Sequence, residues 1–255
     1  MADKLGDYMK ELELVEGSRK ADLGKPVIAR LDGRAFHTFT RGLSRPFDEN
    51  LTKLMQATTK YLVEQTNAIV GYTQSDEITL IWYLPEGSTS QYIFGGRYQK
   101  MCSTLSAIAT AFFNANLEKY LPSKAGSLPS FDARVWQVPT LHDAYLSLLW
   151  RERDAIKNSI TMVALSKFPH NTLQNVSGNV KKDMLREIGD PWENYDSCYR
   201  KGSYFKRVKE MRALTDEENS RIPEKFRIFE LVERHPVKQV EFPEMNNTDE
   251  FLVFA

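Results

Sequence analysis

The chain has 255 residues, 42% of them apolar and 27% charged, and its 34 basic and 34 acidic side chains cancel to zero formal charge. That length buries a substantial core in one large domain or two modest ones, while the charge balance excludes a global basic field, so any nucleic-acid partner is held by local patches. Two cysteines (Cys102 and Cys198) are too few for a disulfide framework, the four histidines are scattered, and no run approaches membrane-spanning length, so the chain reads as a soluble, cytoplasmic protein of a reducing compartment.

Residues 1–25 are charged and partly helical in pattern, with Tyr8, Met9, Leu12 and Leu14 able to dock. Val27 to Leu31 is a short apolar run of buried-strand type that stops at Asp32-Gly33, then Arg34-Ala-Phe-His37. Asp-Gly is first of all a turn dipeptide. A loop from Arg41 to Phe47 follows, and Asp48 is placed to cap a helix over 48–65, whose Leu51, Leu54, Met55, Thr58, Tyr61 and Leu62 recur at helical spacing. Ile69–Thr73 and Ile78–Leu84 read as strands around the hairpin turn Gln74-Ser-Asp-Glu77. Met101, Leu105, Ile108, Phe112 and Ala115 mark a second core helix over 98–120. Arg97 and Lys100 lie near its start, where exposed N–H groups favour anions. Phe131 to Val138 alternates like a strand. Strand, helix, strand, strand, helix, strand is the split, ferredoxin-like βαββαβ arrangement of an α+β fold, with two helices on one face of an antiparallel sheet and the other face free.

After Pro139 the character changes to a helix-rich half. Leu141 to about Lys167 reads as one long helix carrying Arg151, Arg153, Asp154, Lys157 and Asn158, with its cations on a solvated face. Asn175 to Ile188 suggests another helix, and Tyr199 to Val208 a basic, aromatic hairpin strand. Lys181, Lys182, Arg200 and Lys201, interleaved with Tyr195, Tyr199 and Tyr204, suit single-stranded or end recognition of nucleic acid. Thr215 to Pro223 is a polar connector, and the tail ends apolar at Phe251–Phe254. The expected division is 1–138 and 139–255, the second part packed on the first.

In this topology the end of the first strand and the central hairpin turn lie side by side, so Asp32 meets Asp76 and Glu77 at one edge. Carboxylates that close need a cation to remain ionised. Hard oxygen ligands suit Mg²⁺, and two such ions serve an attacking oxygen and a leaving pyrophosphate. N–H groups from Arg34 to His37, with positive charge from Arg45, Arg97 and Lys100, can hold a triphosphate. Asp76 shares strand parity with Ile78, Leu80 and Trp82, the apolar face, so it belongs to the turn or a bulge re-aims it. The competing reading is two ordinary acidic turns.

Arg30-Leu-Asp-Gly-Arg-Ala-Phe-His37, Gly71-Tyr-Thr-Gln-Ser-Asp-Glu77, Phe131-Asp-Ala-Arg134 and Tyr199-Arg-Lys-Gly202, in that order, resemble the tRNA-histidine guanylyltransferase family and its Thg1-like relatives, the 3′–5′ RNA polymerases. The resemblance implies a polymerase-type palm that works in the opposite direction, a nucleotide's 3′-hydroxyl attacking an activated 5′ end of tRNA or a tRNA-like RNA. It implies two Mg²⁺ ions on Asp32, the Gly33 carbonyl and Asp76, with Glu77 assisting, and GTP or ATP as substrates. It also implies a triphosphate cradled by Gly33, Arg34, Ala35, Phe36 and His37 and contacted by Ser75, Arg45, Arg97 and Lys100. Arg134, Asn158 and Lys201 become contacts to nucleotide or RNA, and a homotetramer the expected assembly. One departure stands out. Where the histidine-tRNA enzymes carry H-I-N-N-L-Y-N-T, this chain reads Asp154-Ala-Ile-Lys-Asn-Ser-Ile-Thr161, with Ile156 in place of histidine. Templated repair of truncated 5′ ends fits that better than reading a histidine anticodon. The rivals are histidine-tRNA guanylylation, a palm-fold nucleotide cyclase, and a non-catalytic RNA-binding protein.

Overall fold

Val27–Gly33 (β1) alternates sides as a strand must, with Val27, Ala29 and Leu31 entering one core and Ile28 another. The chain is described here from a computed structural model covering residues 4–227 and 230–242; the apolar tail at 251–254 lies outside them. After β1 come a one-turn helix at Phe36–Phe39 (α2) and the helix Glu49–Thr66 (α3). The Asp48 carboxylate accepts the Leu51 N–H at 2.9 Å and the Ser44 N–H at 3.1 Å, which satisfies an orphan amide of the first turn and fixes where α3 begins. Val70–Gln74 (β2) and Glu77–Trp82 (β3) form a hairpin in which Gln74 faces Glu77, leaving a two-residue turn of Ser75 and Asp76. Asp76 thus belongs to the turn, and no bulge is needed to re-aim it. Tyr98–Tyr120 (α4) and Phe131–Gln137 (β4) complete the six-element unit.

The main sheet runs β4-β1-β3-β2 in its palm part, every pairing antiparallel, which is the ferredoxin-like order. Helices α3 and α4 cover one face through Leu54, Leu62, Met101, Leu105 and Phe113. The opposite face is not free. Leu141–Lys167 (α5) lays Ala144, Tyr145 and Leu148 on Ile28, Val70, Tyr72 and Ile81, so the sheet is sandwiched along much of its length. The expectation missed this because the apolar residues of α5 are thinly spread among charged ones.

Beyond α5, a one-turn helix at His170–Leu173 (α6), the helix Gly178–Glu187 (α7) and Trp192 close a small third core with Ile160, Val163 and Leu185. A further single turn, Ser197–Arg200 (α8), leads into Ser203–Arg207 (β5), which pairs with β2. Glu210–Arg212 (β6) pairs with Val232–Arg234 (β7), and Val237–Val240 (β8) pairs with β5. The later half of the chain therefore adds two strands to the palm sheet, giving the order β4-β1-β3-β2-β5-β8. The connector at 215–223 contains a single helical turn opened by a Thr215–Glu218 capping box. Lys4–Gly17 (α1) forms as its pattern predicts, but Tyr8, Met9, Leu12 and Leu14 are exposed rather than docked.

Candidate active site

Register brings the acids together. Asp32 stands opposite Glu77 on one side and Asp132 on the other, and the Gly33 N–H donates to the Asp76 carbonyl at 3.0 Å. Ser75 takes a left-handed conformation (φ 54°), which lets two residues reverse the chain and keeps Asp76 beside Gly33. Burial first, and the neighbouring Asp32 charge as well, push the Asp76 carboxyl above its ordinary range, against the pull of its own N–H and the Ser75 hydroxyl. Ser75 Oγ lies 3.1 Å from Asp76 Oδ1.

Glu77 has a different environment. Its Oε1 and Oε2 accept from Arg151 Nε at 2.6 Å and Arg151 Nη2 at 2.8 Å, both side chains being only 14% exposed, and Arg30 Nε lies 3.9 Å away. Burial raises the Glu77 carboxyl above its ordinary value, and the two guanidinium groups pull it back only in part. Arg151 reaches on to Asp154 at 3.3 Å, and Asn158 Nδ2 donates to that same carboxylate at 3.2 Å. The arginines thus hold Glu77, the acid expected only to assist. Among the described residues no cation pairs with Asp32 or Asp76.

Two neighbouring carboxylates without a cation partner, on a chain turn at Gly33, are a donor set that fits Mg²⁺, which keeps waters and borrows phosphate oxygens. No group of three or more His, Cys, Asp or Glu side chains gathers at a metal-binding spacing among the described residues. A dedicated all-protein metal cage is therefore not what this edge offers.

The phosphate loop is narrower than expected. The Gly33 and Arg34 N–H groups already donate to the Asp76 and Ser130 carbonyls, which leaves the N–H groups of Ala35, Phe36 and His37 for a ligand. The Phe36 ring is core, packed on Phe39, Phe113 and Phe131 at centroid distances of 4.9–5.7 Å. Gly33 permits that packing, since a Cβ there would sit 2.4 Å from the Phe36 ring. Next to the acidic edge opens a cavity of about 280 Å³ between the Arg41–Asp48 loop, α3, the end of β2 and α5. Arg45, Ser75, Gln56 and Ser203 are among its polar lining, and Phe47 and Tyr199, stacked at 4.8 Å, are among its aromatic lining.

The remaining expected residues scatter. Tyr98 Oη meets the Gln137 side chain at 3.1 Å, while Thr110 Oγ1 accepts the Phe131 N–H at 3.0 Å, so α4 begins at the Val27 end of the sheet and passes the Gly33 end further on. Arg97 and Lys100 are therefore removed from Asp32 by most of the strand, roughly 20 Å at 3.3 Å per residue. A single chain does not bring them to its own acidic edge. Arg134 shares the face of Asp32 and lies 3.7 Å from Asp132. Lys201 presents its carbonyl to Tyr72 Oη at 2.8 Å. Sequence reasoning gave Arg30 and Arg151 no part in the site. An arginine two residues from an acid inside an apolar strand was the available signal for Arg30, and Arg151 offered none.

Comparison with known proteins identifies the family. The family profile for tRNAHis guanylyltransferase matches residues 6–139. The tRNA(His) guanylyltransferase of Saccharomyces cerevisiae is 28% identical over 203 residues, covering 72% of this chain and 84% of that one. A bacterial tRNA(His) guanylyltransferase (Thg1)-like protein solved in complex with ATP superposes with TM-score 0.74 at 35% identity, covering 79% of this chain and 88% of the other. A bacterial Thg1-like protein solved with GTP gives TM-score 0.71 at 30% identity, over 92% and 91%. With its palm order, its paired acidic turn and these likenesses, the chain belongs to the tRNAHis guanylyltransferase (Thg1) family and is a nucleotidyltransferase.

Proposed function

We propose that this nucleotidyltransferase adds nucleotides to the 5′ end of tRNA or tRNA-like RNA, as templated 5′-end repair. The observation that carries the reading is the Asp32–Asp76 pair at the edge of the palm, uncompensated by any described cation and bordered by a cavity of nucleoside size. Relatives solved with ATP and with GTP support nucleoside triphosphates as substrates.

In this reading the nucleotide's 3′-hydroxyl attacks the activated 5′ phosphate of the RNA. A phosphodiester forms, and pyrophosphate leaves a triphosphate end or AMP leaves an adenylylated one. Asp32, Asp76 and the Gly33 carbonyl would hold two Mg²⁺ ions, which supply charge neutralisation at the attacking and leaving oxygens. Ala35, Phe36 and His37 offer their N–H groups to phosphate oxygens, Ser75 steadies Asp76, and Arg45, which lines the cavity, would contact the triphosphate. Glu77, engaged by Arg151, keeps the hairpin turn and α5 in fixed relation.

Ile156, standing where the histidine-tRNA enzymes have histidine, packs on the small core around Ile160 and Trp192. A half-buried aliphatic side chain has no hydrogen-bonding group to offer an anticodon base, which favours selection by base pairing to a template. The exposed apolar residues of α1 suit a homo-oligomer.

The test is incubation of the purified chain with 5′-truncated tRNA transcripts, Mg²⁺ and each labelled nucleoside triphosphate. Extension at the 5′ end, with the nucleotide set by the opposing template base, is the expected result. No 5′ addition to any RNA, or cyclic product from ATP or GTP alone, would refute it.

A further inference from the structure

One large aromatic side chain near the acidic edge has no structural role in the core. Trp150 on α5 is 55% exposed, and the Arg151 guanidinium lies 4.6 Å from its ring centroid. Arg151 cannot wander, because both of its arms are fixed on Glu77. One face of the indole therefore rests on a rigid cation, and the rest of the ring is open to solvent.

The direction of that ring follows from helix geometry. Residues on a helix succeed each other by 100°. Arg151 points at Glu77 on β3, and Glu152 swings toward β5, where its carboxylate accepts from Tyr204 Oη at 2.8 Å. Trp150 must swing to the other flank, toward β1 and β4, whose Asp32 and Arg134 share the α5 side of the sheet. Leu146, Trp150, Arg153 and Lys157 follow at steps of four, three and four, so they form one outward stripe, all exposed. Arg153 and Lys157 make no ion pair among the described residues.

We infer that Trp150 is a stacking platform for an unpaired base of the RNA strand presented to the acidic edge, with Arg153, Lys157 and Arg134 holding the flanking phosphates. The occupant is a single-stranded nucleotide segment: a flat apolar ring beside Arg153 and Lys157, with Arg134 sharing its charge with Asp132, matches a base and its backbone. The inference rests on the 5′-end reading for the identity of the strand, while the stacking itself does not need the chemistry.

The test is fluorescence anisotropy of a 3′-labelled single-stranded RNA 12-mer with the full chain, without nucleotide or Mg²⁺. Trp150→Ala is expected to weaken binding about tenfold or more, and Trp150→Phe to stay within about threefold of the wild type. Trp150→Lys, which adds charge and removes the ring, should not restore affinity. Equal binding by Trp150→Ala, no binding by the wild type, or a lowered oligomeric mass with unchanged RNA affinity would each overturn the inference. A wild type that binds RNA through Trp150 yet adds no nucleotide would sink the proposed activity and leave the platform standing. Nucleotide addition with RNA binding indifferent to Trp150 would do the reverse.

Discussion

Arg151 and Glu77 meet across the layer boundary, guanidinium to carboxylate at 2.6 and 2.8 Å, although 74 residues separate them in the chain. Glu77 is the first residue of β3 and follows Asp76 directly. The seat of α5 and the shape of the acidic turn are therefore one mechanical unit, and a change at either is felt at both.

Arg151→Ala leaves a largely buried carboxylate without its partner. We expect a loss of about 3 kcal/mol and a fall in Tm of about 6–12 °C for a chain of this size, read by thermal unfolding. Adding Glu77→Gln should recover much of it. Strictly additive losses in the double variant would show that the pair is not coupled.

Asp32→Asn and Asp76→Asn are expected to cut nucleotide addition by at least about a thousandfold while circular dichroism stays that of the wild type. A variant of either residue with turnover near normal would remove the site assignment.

The raised Asp76 carboxyl gives a pH signature. Its folded pKa lies above the ordinary 3.8, so the fold favours the protonated form. That contribution is fully present below 3.8 and is lost as pH rises through the folded value. Above that window the metal-free protein should melt higher as Asp76→Asn than as wild type, and the gap should close at low pH. Mg²⁺, competing with the proton, should raise the Tm of the wild type but not of the variant, increasingly so with pH. A Mg²⁺ effect of equal size on both proteins would contradict this.

Arg45→Ala should raise the KM for nucleoside triphosphate about five- to tenfold and leave the KM for RNA in place. Steady-state kinetics with each substrate varied in turn decides it; a change confined to RNA would move Arg45 out of the nucleotide cavity.

Gly202→Ala tests the close approach of the chain to β2 beside that cavity, whose lining includes Thr73 and Ser203. Gly202 sits at φ +88°, and a Cβ would lie 2.7 Å from the Thr73 carbonyl and 2.6 Å from the Tyr72 ring. A loss of about 1–3 kcal/mol is expected. Gly189→Ala, at φ +75° with open space around it, meets only the left-handed backbone strain and should cost less, about 1 kcal/mol. Comparable denaturation midpoints for the two variants would show that the close approach at Gly202 is relieved.

Where periodicity speaks, the sequence was legible. Asp48 capping α3, the span of α4 and the four palm strands follow from apolar spacing and local capping chemistry, and the span of α5 from a run without a helix breaker. The acidic turn was legible too, because adjacency in this topology is set by strand order. Facts that depend on how elements pack were hidden. Nothing local distinguishes Arg151, which ends beneath a helix against Glu77, from Arg153, which stays in solvent. Arg97 and Lys100 looked close to the acids because they open a core helix, yet the direction of α4 along the sheet places them at the far end. The tilt of α1 likewise could not be read, and its apolar residues face outward.

The sheet that carries Asp32 and Asp76 does not end at residue 138: β5 pairs with β2, and β8 closes on β5. During synthesis the nascent palm therefore emerges from the ribosome with an open flank, Val70 and Ile81 uncovered until α5 arrives and the edge of β2 bare until about residue 203. Shortened versions stopping at 138 should aggregate on expression, and the sheet is complete only once the chain has passed residue 240.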